Sequence, residues 1–365
     1  MRIKGLFIGL MSGTSCDGVD ASLIRTDGVN DLELLSNLHI PYPKDFSLSL
    51  KKLCTKFDAY FDVELQLTDF HSLAVTQLLE QAGYKSEEII AVGFHGQTIL
   101  HKPENHITCQ IGNPYQLSLA TGIDVIYDFR RRDVSLGGNG APLVPIFHKA
   151  IMKEQEMPLV VVNIGGVANL TYIDNDNIIA FDTGPGNSLI DDTMSKHFGL
   201  MMDDSGNIAS KGLVHMKLLD ASFASDFFKQ PYPKSLDRNS FDFVKKELET
   251  LSVEDKVATL TYFSAKAIAM AFDMLPKKVK QIFLCGGGSK NKQLIKYLSD
   301  CLKEKGLSAK LASISSVNNL DAEFVESQAF GYLAARFMNK LPSAFRSTTG
   351  AKFDNICGSL VSHKL

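Results

Sequence analysis

Residues 4–26 read KGLFIGLMSGTSCDGVDASLIRT, and residues 158–173 read PLVVVNIGGVANLTYI. Each stretch runs an apolar, β-compatible segment into a turn of small residues and back out into a second extended segment. A third strand follows in both places: LELLSNLHI after the turn DGVND, and IIAFDTGPGN after the turn DNDN. Two β-turn-β-turn-β openings about 150 residues apart predict a duplicated unit.

The segments between and beyond these openings carry helical periodicity. In residues 62–84, Val63, Leu67, Phe70, Ala74, Leu78 and Leu79 share one face and Gly83 can end the helix. Residues 252–275, 291–306 and 320–338 repeat the pattern, with a strand QIFLCGGG at 281–288 between the first two. Strands alternating with helices give an α/β architecture rather than a sandwich. The chain has 365 residues, beyond the size at which one core usually stops growing, so two domains are expected.

With 45% hydrophobic and 22% charged residues and a net charge of −3, the composition is that of a globular protein with no whole-chain attraction to nucleic acid or an anionic membrane. DFRRRD at 128–133 is the one obvious basic site. Six scattered cysteines lack the C-x-x-C spacing of a zinc or redox site, and thiols in a reducing cytoplasm are the simplest reading. The amino terminus superficially resembles a signal peptide, but its apolar part is short and Asp17 and Asp20 follow directly. No apolar run reaches the length of a membrane span, which places the protein in the cytoplasm.

Neither a G-x-x-x-x-G-K-[ST] loop nor a G-x-G-x-x-G opening a helix after the first strand is present. A nucleotide would have to be held by separated turns: SGTSCDG at 12–18, NIGGVAN at 163–169 and CGGGSKN at 285–291. Their main-chain N–H groups and hydroxyls suit an anion, and Asp17 beside such a cradle suits a hydrated Mg²⁺. Asp182, at the end of the apolar strand IIAF and before Gly-Pro-Gly, is the candidate base, although an Asx-turn aspartate would look the same.

Taken in order, these motifs resemble the anhydro-N-acetylmuramic acid kinases, cell-wall recycling enzymes of the sugar kinase, Hsp70 and actin superfamily. The resemblance runs through GLMSGTSCDGVD, GFHGQT at 93–98, DFRRRD, GGNGAPLVP at 137–145, NIGGVANLT, FDTGPGN, PYPKSLDR at 231–238, LCGGGSKN and VESQAFGYLA. Cys16 departs from the family's usual methionine or leucine, and VESQAF varies its Glu-Ala-Leu-Ala-Phe pattern while keeping Glu326.

The resemblance implies two actin-like, ribonuclease H-like domains with mixed sheets flanked by helices and an ATP cleft between them. Their expected bounds are 1–155 with 340–365, and 156–339. It implies ATP and Mg²⁺, and a reaction that opens 1,6-anhydro-N-acetylmuramic acid with water and phosphorylates its 6-oxygen. Ser12, Gly13, Thr14, Ser15, Cys16, Asp17, Gly18 and Val19 would hold the nucleotide phosphates, with Asp17 on the metal. Gly165, Gly166, Gly286, Gly287 and Gly288 would also face the nucleotide, and Asp182 would be the base.

On the sugar side it implies His95, Thr98, Arg130 and Glu326, with Arg130 on the lactyl carboxylate. His95 reads equally as a structural histidine. Arg131 and Arg132 are expected to pair with Asp128 or Asp133, and PYPKSLDR has no derivable role. A homodimer is implied as well. A nucleotide-dependent sugar sensor and a different sugar kinase remain alternatives, whereas a glycoside hydrolase lacks an evident second carboxylic acid.

Overall fold

A computed structural model describes residues 2–13, 15–53, 60–175, 177–317 and 320–364. It divides into two compact units, residues 1–153 with 324–365 and residues 154–323.

The first unit is built on a seven-stranded sheet ordered β12-β6-β4-β1-β2-β3, with β5 also paired to β4. Its strands are β1 (Gly5–Ser12), β2 (Gly18–Thr26), β3 (Leu32–Pro41), β4 (Ile89–Lys102), β5 (Ile107–Ile111), β6 (Val125–Tyr127) and β12 (Ser359–Val361). β1 to β3 form an antiparallel meander, and β4 then β6 add in parallel on the other side of β1. The helix Tyr60–Ala82 buries Val63, Leu67, Ala74, Leu78 and Leu79, together with Thr68, His71 and Val75. Phe70 lies only partly buried at the rim of that core, and Gly83 follows the helix in the left-handed conformation.

The second unit repeats this arrangement. β7 (Leu159–Ile164), β8 (Val167–Ile173) and β9 (Ile178–Pro185) form the antiparallel meander, and β10 (Gln281–Cys285) and β11 (Lys310–Ser313) add in parallel beside β7. The order β9-β8-β7-β10-β11 matches β3-β2-β1-β4-β6 strand for strand in position and sense. The duplication expected from the two openings is thus present in the topology. The helices Val253–Ala271 and Lys292–Glu304 start at side-chain caps: Ser252 accepts from the Asp255 N–H at 3.1 Å and Asn291 from the Leu294 N–H at 3.0 Å.

One boundary differs from expectation. The helix Val325–Met338, assigned from sequence to the second domain, belongs to the first unit. The reason is a backbone-to-backbone crossing over the centre of the first sheet. Gly9 and Gly93 are register partners on β1 and β4. A Cβ on Gly9 would sit 1.7 Å from the Ser327 carbonyl oxygen, and one on Gly93 would sit 2.2 Å from that of Phe330. Only hydrogen at both positions lets the helix lie this low.

Polar links then fix its register. Ser327 Oγ and Ser22 Oγ are 2.6 Å apart, and Arg336 donates to the Gly28 and Pro342 carbonyls at 2.8 and 2.7 Å. The chain end is tied down by Asp133, fully buried, which accepts from Gly140 N, Thr349 Oγ1 and Asn355 Nδ2. Asp133 is therefore not the arginine partner that the sequence suggested, because its oxygens are already occupied inside the protein. Among the described residues no helix is long and apolar enough to cross a membrane.

Gly93→Ala should lift the helix off the sheet and destabilise the protein by about 1–3 kcal/mol, lowering the melting temperature by several degrees. Thermal melts of the variant beside the parent protein measure this, and an unchanged melting point would contradict the crossing geometry.

Candidate active site

The turn after β1 has two kinds of residue. Ser12 is buried, donates to Gln97 Oε1 at 2.5 Å and accepts from the Tyr42 hydroxyl at 2.8 Å, so its side chain is engaged in the interior. Val19 points into the core and Cys16 packs beneath the turn, in the first hydrophobic cluster. The side chains of Ser12, Cys16 and Val19 thus stabilise the loop, and only their main chain is left to meet a ligand. Gly18 carries no side chain because a Cβ would strike His39 and the Ile40 carbonyl at 2.5 Å.

The open part of the turn is Gly13, Ser15 and Asp17. A Cβ on Gly13 would meet only Ser15 Oγ, at 3.6 Å. Cys16 adopts φ 54° and donates its N–H to the Gly13 carbonyl, folding the turn back on itself. Ser15 and Asp17 are exposed, with Ser15 Oγ donating to Asp17 Oδ1 at 2.6 Å. Thr14 lies outside the described residues. No group of three or more His, Cys, Asp or Glu able to hold a metal occurs among the described residues. A single exposed carboxylate fits Mg²⁺, which keeps several waters and takes one or two protein carboxylates beside substrate phosphates.

In the second unit the parallel pair β7 and β10 end together, Asn163 opposite Cys285. The turn Gly165-Gly166 is stitched to the segment after β9: Gly186 N and Ser188 N donate to the Gly166 carbonyl and Asn187 N to that of Gly165. A Cβ on Gly165, Gly166 or Gly287 would make only ordinary van der Waals contacts, at 3.5–3.9 Å, so these positions are the less crowded ones. Gly286 and Gly288 are also required by packing. A Cβ on Gly286, which has φ 76°, would strike Asn163 Oδ1 at 2.3 Å, and one on Gly288 would strike the Ile164 side chain at 2.3 Å. The ends of parallel strands, lined by glycines and main-chain donors, make a surface to which a phosphorylated ligand can come close.

Asp182 lies on β9, an edge strand of this sheet. Residues 234–236 cover that edge: Asp182 N donates to the Lys234 carbonyl at 2.9 Å, and Leu236 N donates to Asp182 Oδ2 at 2.7 Å. Tyr232 stacks on Phe181, with ring centroids 5.5 Å apart and planes inclined by 14°. PYPKSLDR, opaque in sequence, is the segment that clamps the carboxylate. Asp182 is half-buried, and desolvation raises its pKa to about 7 against the pull of the Leu236 N–H and the Lys234 charge. A carboxyl that titrates near neutrality is suited to take and return a proton. Arg238 and Lys245, each donating to Asp192 at 2.8 and 2.9 Å, secure the neighbouring helix Ser188–Phe198.

The sugar-side candidates gather in the first unit. His95 is buried with both ring nitrogens occupied: Nδ1 is 2.7 Å from the Gly96 carbonyl, and Nε2 accepts from Arg130 Nε at 3.0 Å. That pairing fixes the neutral tautomer with the proton on Nδ1, and burial together with the Arg130 charge holds the pKa well below the ordinary value. His95 therefore orients Arg130, with both of its ring nitrogens already hydrogen-bonded.

Arg130 also donates from Nη1 to the Gly140 carbonyl at 2.7 Å, which leaves Nη2 without a partner among the described residues. Its neighbours differ: Arg131 is exposed, 3.8 Å from Asp128, and Arg132 is exposed. Of the three arginines, Arg130 alone is half-buried and held by hydrogen bonds to His95 and Gly140. Glu326, half-buried in the first turn of the helix Val325–Met338, is raised in pKa by burial and by Asp20, against the lowering effect of Arg130. Thr98, half-buried on β4, accepts from Gln110 Nε2 at 3.1 Å. Gln97, which ties β4 to Ser12, carried no signal in the sequence.

The anhydro-N-acetylmuramic acid kinase family model matches residues 5–363. Curated relatives of that name include the protein of Zymomonas mobilis, 40% identical over 94% of this chain and 96% of its own. That of Rhodopseudomonas palustris is 41% identical over 97% and 98%, and that of Nitrobacter winogradskyi 42% identical over 94% and 95%. The chain belongs to the anhydro-N-acetylmuramic acid kinase family. It is accordingly a kinase of murein recycling, and ATP is the phosphoryl donor that membership implies.

The raised carboxyl of this kinase has a thermodynamic signature. Asp182 titrates near 7 when folded against 3.8 ordinarily, so its contribution to stability is full below the ordinary value and is lost as pH rises through 7. Asp182→Asn removes the charge and keeps an acceptor for the Leu236 N–H. The variant should melt above the parent protein by a margin that grows from about pH 4 to about pH 7 and is constant beyond. Thermal melts across that range measure it, and a margin independent of pH would contradict the raised pKa.

Proposed function

We propose that this kinase opens the 1,6-anhydro bridge of anhydro-N-acetylmuramic acid with water and transfers the γ-phosphoryl group of ATP to the freed 6-oxygen, in the cytoplasm. The observation that carries the reading is Asp182: a half-buried carboxyl, held through Oδ2 by a main-chain N–H, with a pKa of about 7. Its Oδ1 accepts no hydrogen bond from the described residues and is the oxygen left for a proton.

In the proposed reaction Asp182 takes one proton from a water as the water oxygen bonds to the anomeric carbon. The bond from that carbon to the bridging oxygen breaks, and its electron pair stays on the 6-oxygen. That oxygen attacks the γ-phosphorus in line, ADP leaves, and the proton on Asp182 passes to solvent. The atoms balance as anhydro sugar, water and ATP giving N-acetylmuramic acid 6-phosphate, ADP and a proton. One base thereby serves both bond changes, because the oxygen released by ring opening is the phosphoryl acceptor.

The main chain of residues 13–18 and the less crowded glycines 165, 166 and 287 would receive the nucleotide, and Asp17 would hold Mg²⁺ through water. Mg²⁺, when bound, supplies neutralisation of phosphate charge. Arg130 Nη2 would pair with the lactyl carboxylate, and Glu326 would accept from a sugar hydroxyl. Removing water from these groups strengthens both contacts.

Turnover in ¹⁸O-labelled water tests the coupling. Label at the anomeric hydroxyl, together with one new phosphate per product, is expected by mass spectrometry. Phosphate without ring opening would indicate a kinase for an ordinary hydroxyl, and ring opening without ATP a hydrolase; either result overturns the mechanism. Asp182→Asn should lower kcat by at least about a hundredfold. Arg130→Lys, which loses the planar donor, should raise KM for the anhydro sugar about tenfold while leaving KM for ATP unchanged. Steady-state kinetics with each substrate varied in turn separate these effects.

A further inference from the structure

We propose that Lys234 is a positioning residue for the catalytic base, its ammonium group favouring the ionised, proton-accepting form of Asp182. The inference rests on the reading of Asp182 as that base.

Lys234 is 7% exposed, and its Nζ donates to the Phe227 carbonyl at 2.9 Å while standing 4.4 Å from the Phe227 ring centroid and 5.9 Å from that of Phe181. No carboxylate lies within ion-pair distance of it among the described residues. A buried cation in that condition is expensive, and an apolar chain of similar length would fill the same space without the penalty. Structural need alone therefore does not account for an amine here.

Its field does. The charge that acts on Lys234 is that of Asp182, and the charge that acts on Asp182 is that of Lys234. The two are held in fixed relation by the Asp182 N–H to Lys234 carbonyl bond, by the Leu236 N–H on Oδ2 and by the Tyr232–Phe181 stack. Burial drives both groups toward neutrality, the lysine downward and the aspartate upward, and each charge opposes that drive in the other. The aromatic faces and the carbonyl hold the ammonium in place, and the short peptide link from residue 234 to 236 carries the N–H that orients the carboxylate. Without the ammonium the Asp182 carboxyl would keep its proton to higher pH and would be a poorer acceptor at neutrality.

The test compares kcat/KM of Lys234→Met with that of the parent protein from pH 6 to pH 9, as a ratio at each pH, so that titration of ATP cancels. The ratio should fall at least about threefold below unity at pH 6 and return toward unity by pH 9. Lys234→Arg, which keeps the charge, should hold a ratio that does not change with pH. A Lys234→Met ratio that is low but constant with pH would mean a purely structural role and would overturn the inference. If Lys234→Met does not give a cooperative thermal melt, Lys234→Gln carries the same comparison. Turnover retained in Asp182→Asn would instead remove the base itself, so the two failures are distinguishable.

Discussion

The first unit depends on a contact that contains no side chain. At Gly9 and Gly93 the helix Val325–Met338 rests its backbone on the sheet, and a single methyl group at either position would overlap a helix carbonyl. Contact at this distance leaves the helix little freedom to slide or rotate. Its first turn, which carries Glu326, is consequently set at a defined height above the strand β4 that carries His95. Glu326 and Arg130 feel each other's charge without forming an ion pair. A helix packed through large side chains could rock, and the spacing of those two groups would vary with it.

The two units hold their buried charges in opposite ways. In the first unit a neutral histidine and a carbonyl orient Arg130 without neutralising it. Burial keeps His95 uncharged, so its Nε2 can accept from the guanidinium. In the second unit burial pushes Asp182 up, while a single N–H and a distant ammonium stop the rise near neutrality. Desolvation, usually a cost, sets the protonation state in both places.

What could be read from the sequence followed from local periodicity and punctuation. The two β-meanders and the helices at 253–271 and 292–304 leave marks within a few residues, whereas Asp182, expected at the end of the strand IIAF, lies inside β9, which continues to Pro185. The family resemblance supplied the sugar-side residues, because His95, Arg130 and Glu326 are far apart along the chain. The sequence did not reveal interactions between distant segments. Nothing in VESQAFGYLA says that its helix lies against Gly9 and Gly93, and so the domain boundary was drawn on its wrong side. Ser12 looks like a phosphate-loop hydroxyl until Gln97 and Tyr42 are seen to occupy it. Of the three arginines in DFRRRD, only the fold distinguishes the one that turns inward.

The duplication makes one difference between the halves informative. β3 and β9 occupy the same place, third strand of the meander and outer member of the sheet. β3 is half-exposed along most of its length, as an ordinary edge strand is, whereas β9 is buried at every position except Asp182. The difference comes partly from residues 231–238, which cover the edge of β9 and pair with it through the main chain at Asp182. Covering an edge protects it from unwanted pairing. Here the same cover delivers a donor to the carboxylate, places a lysine behind it and removes water from around it. An uncovered Asp182 on a strand like β3 would be a solvated aspartate with an ordinary pKa and a poor acceptor at neutral pH. The raised pKa of Asp182 therefore depends less on the aspartate itself than on the segment laid over its strand.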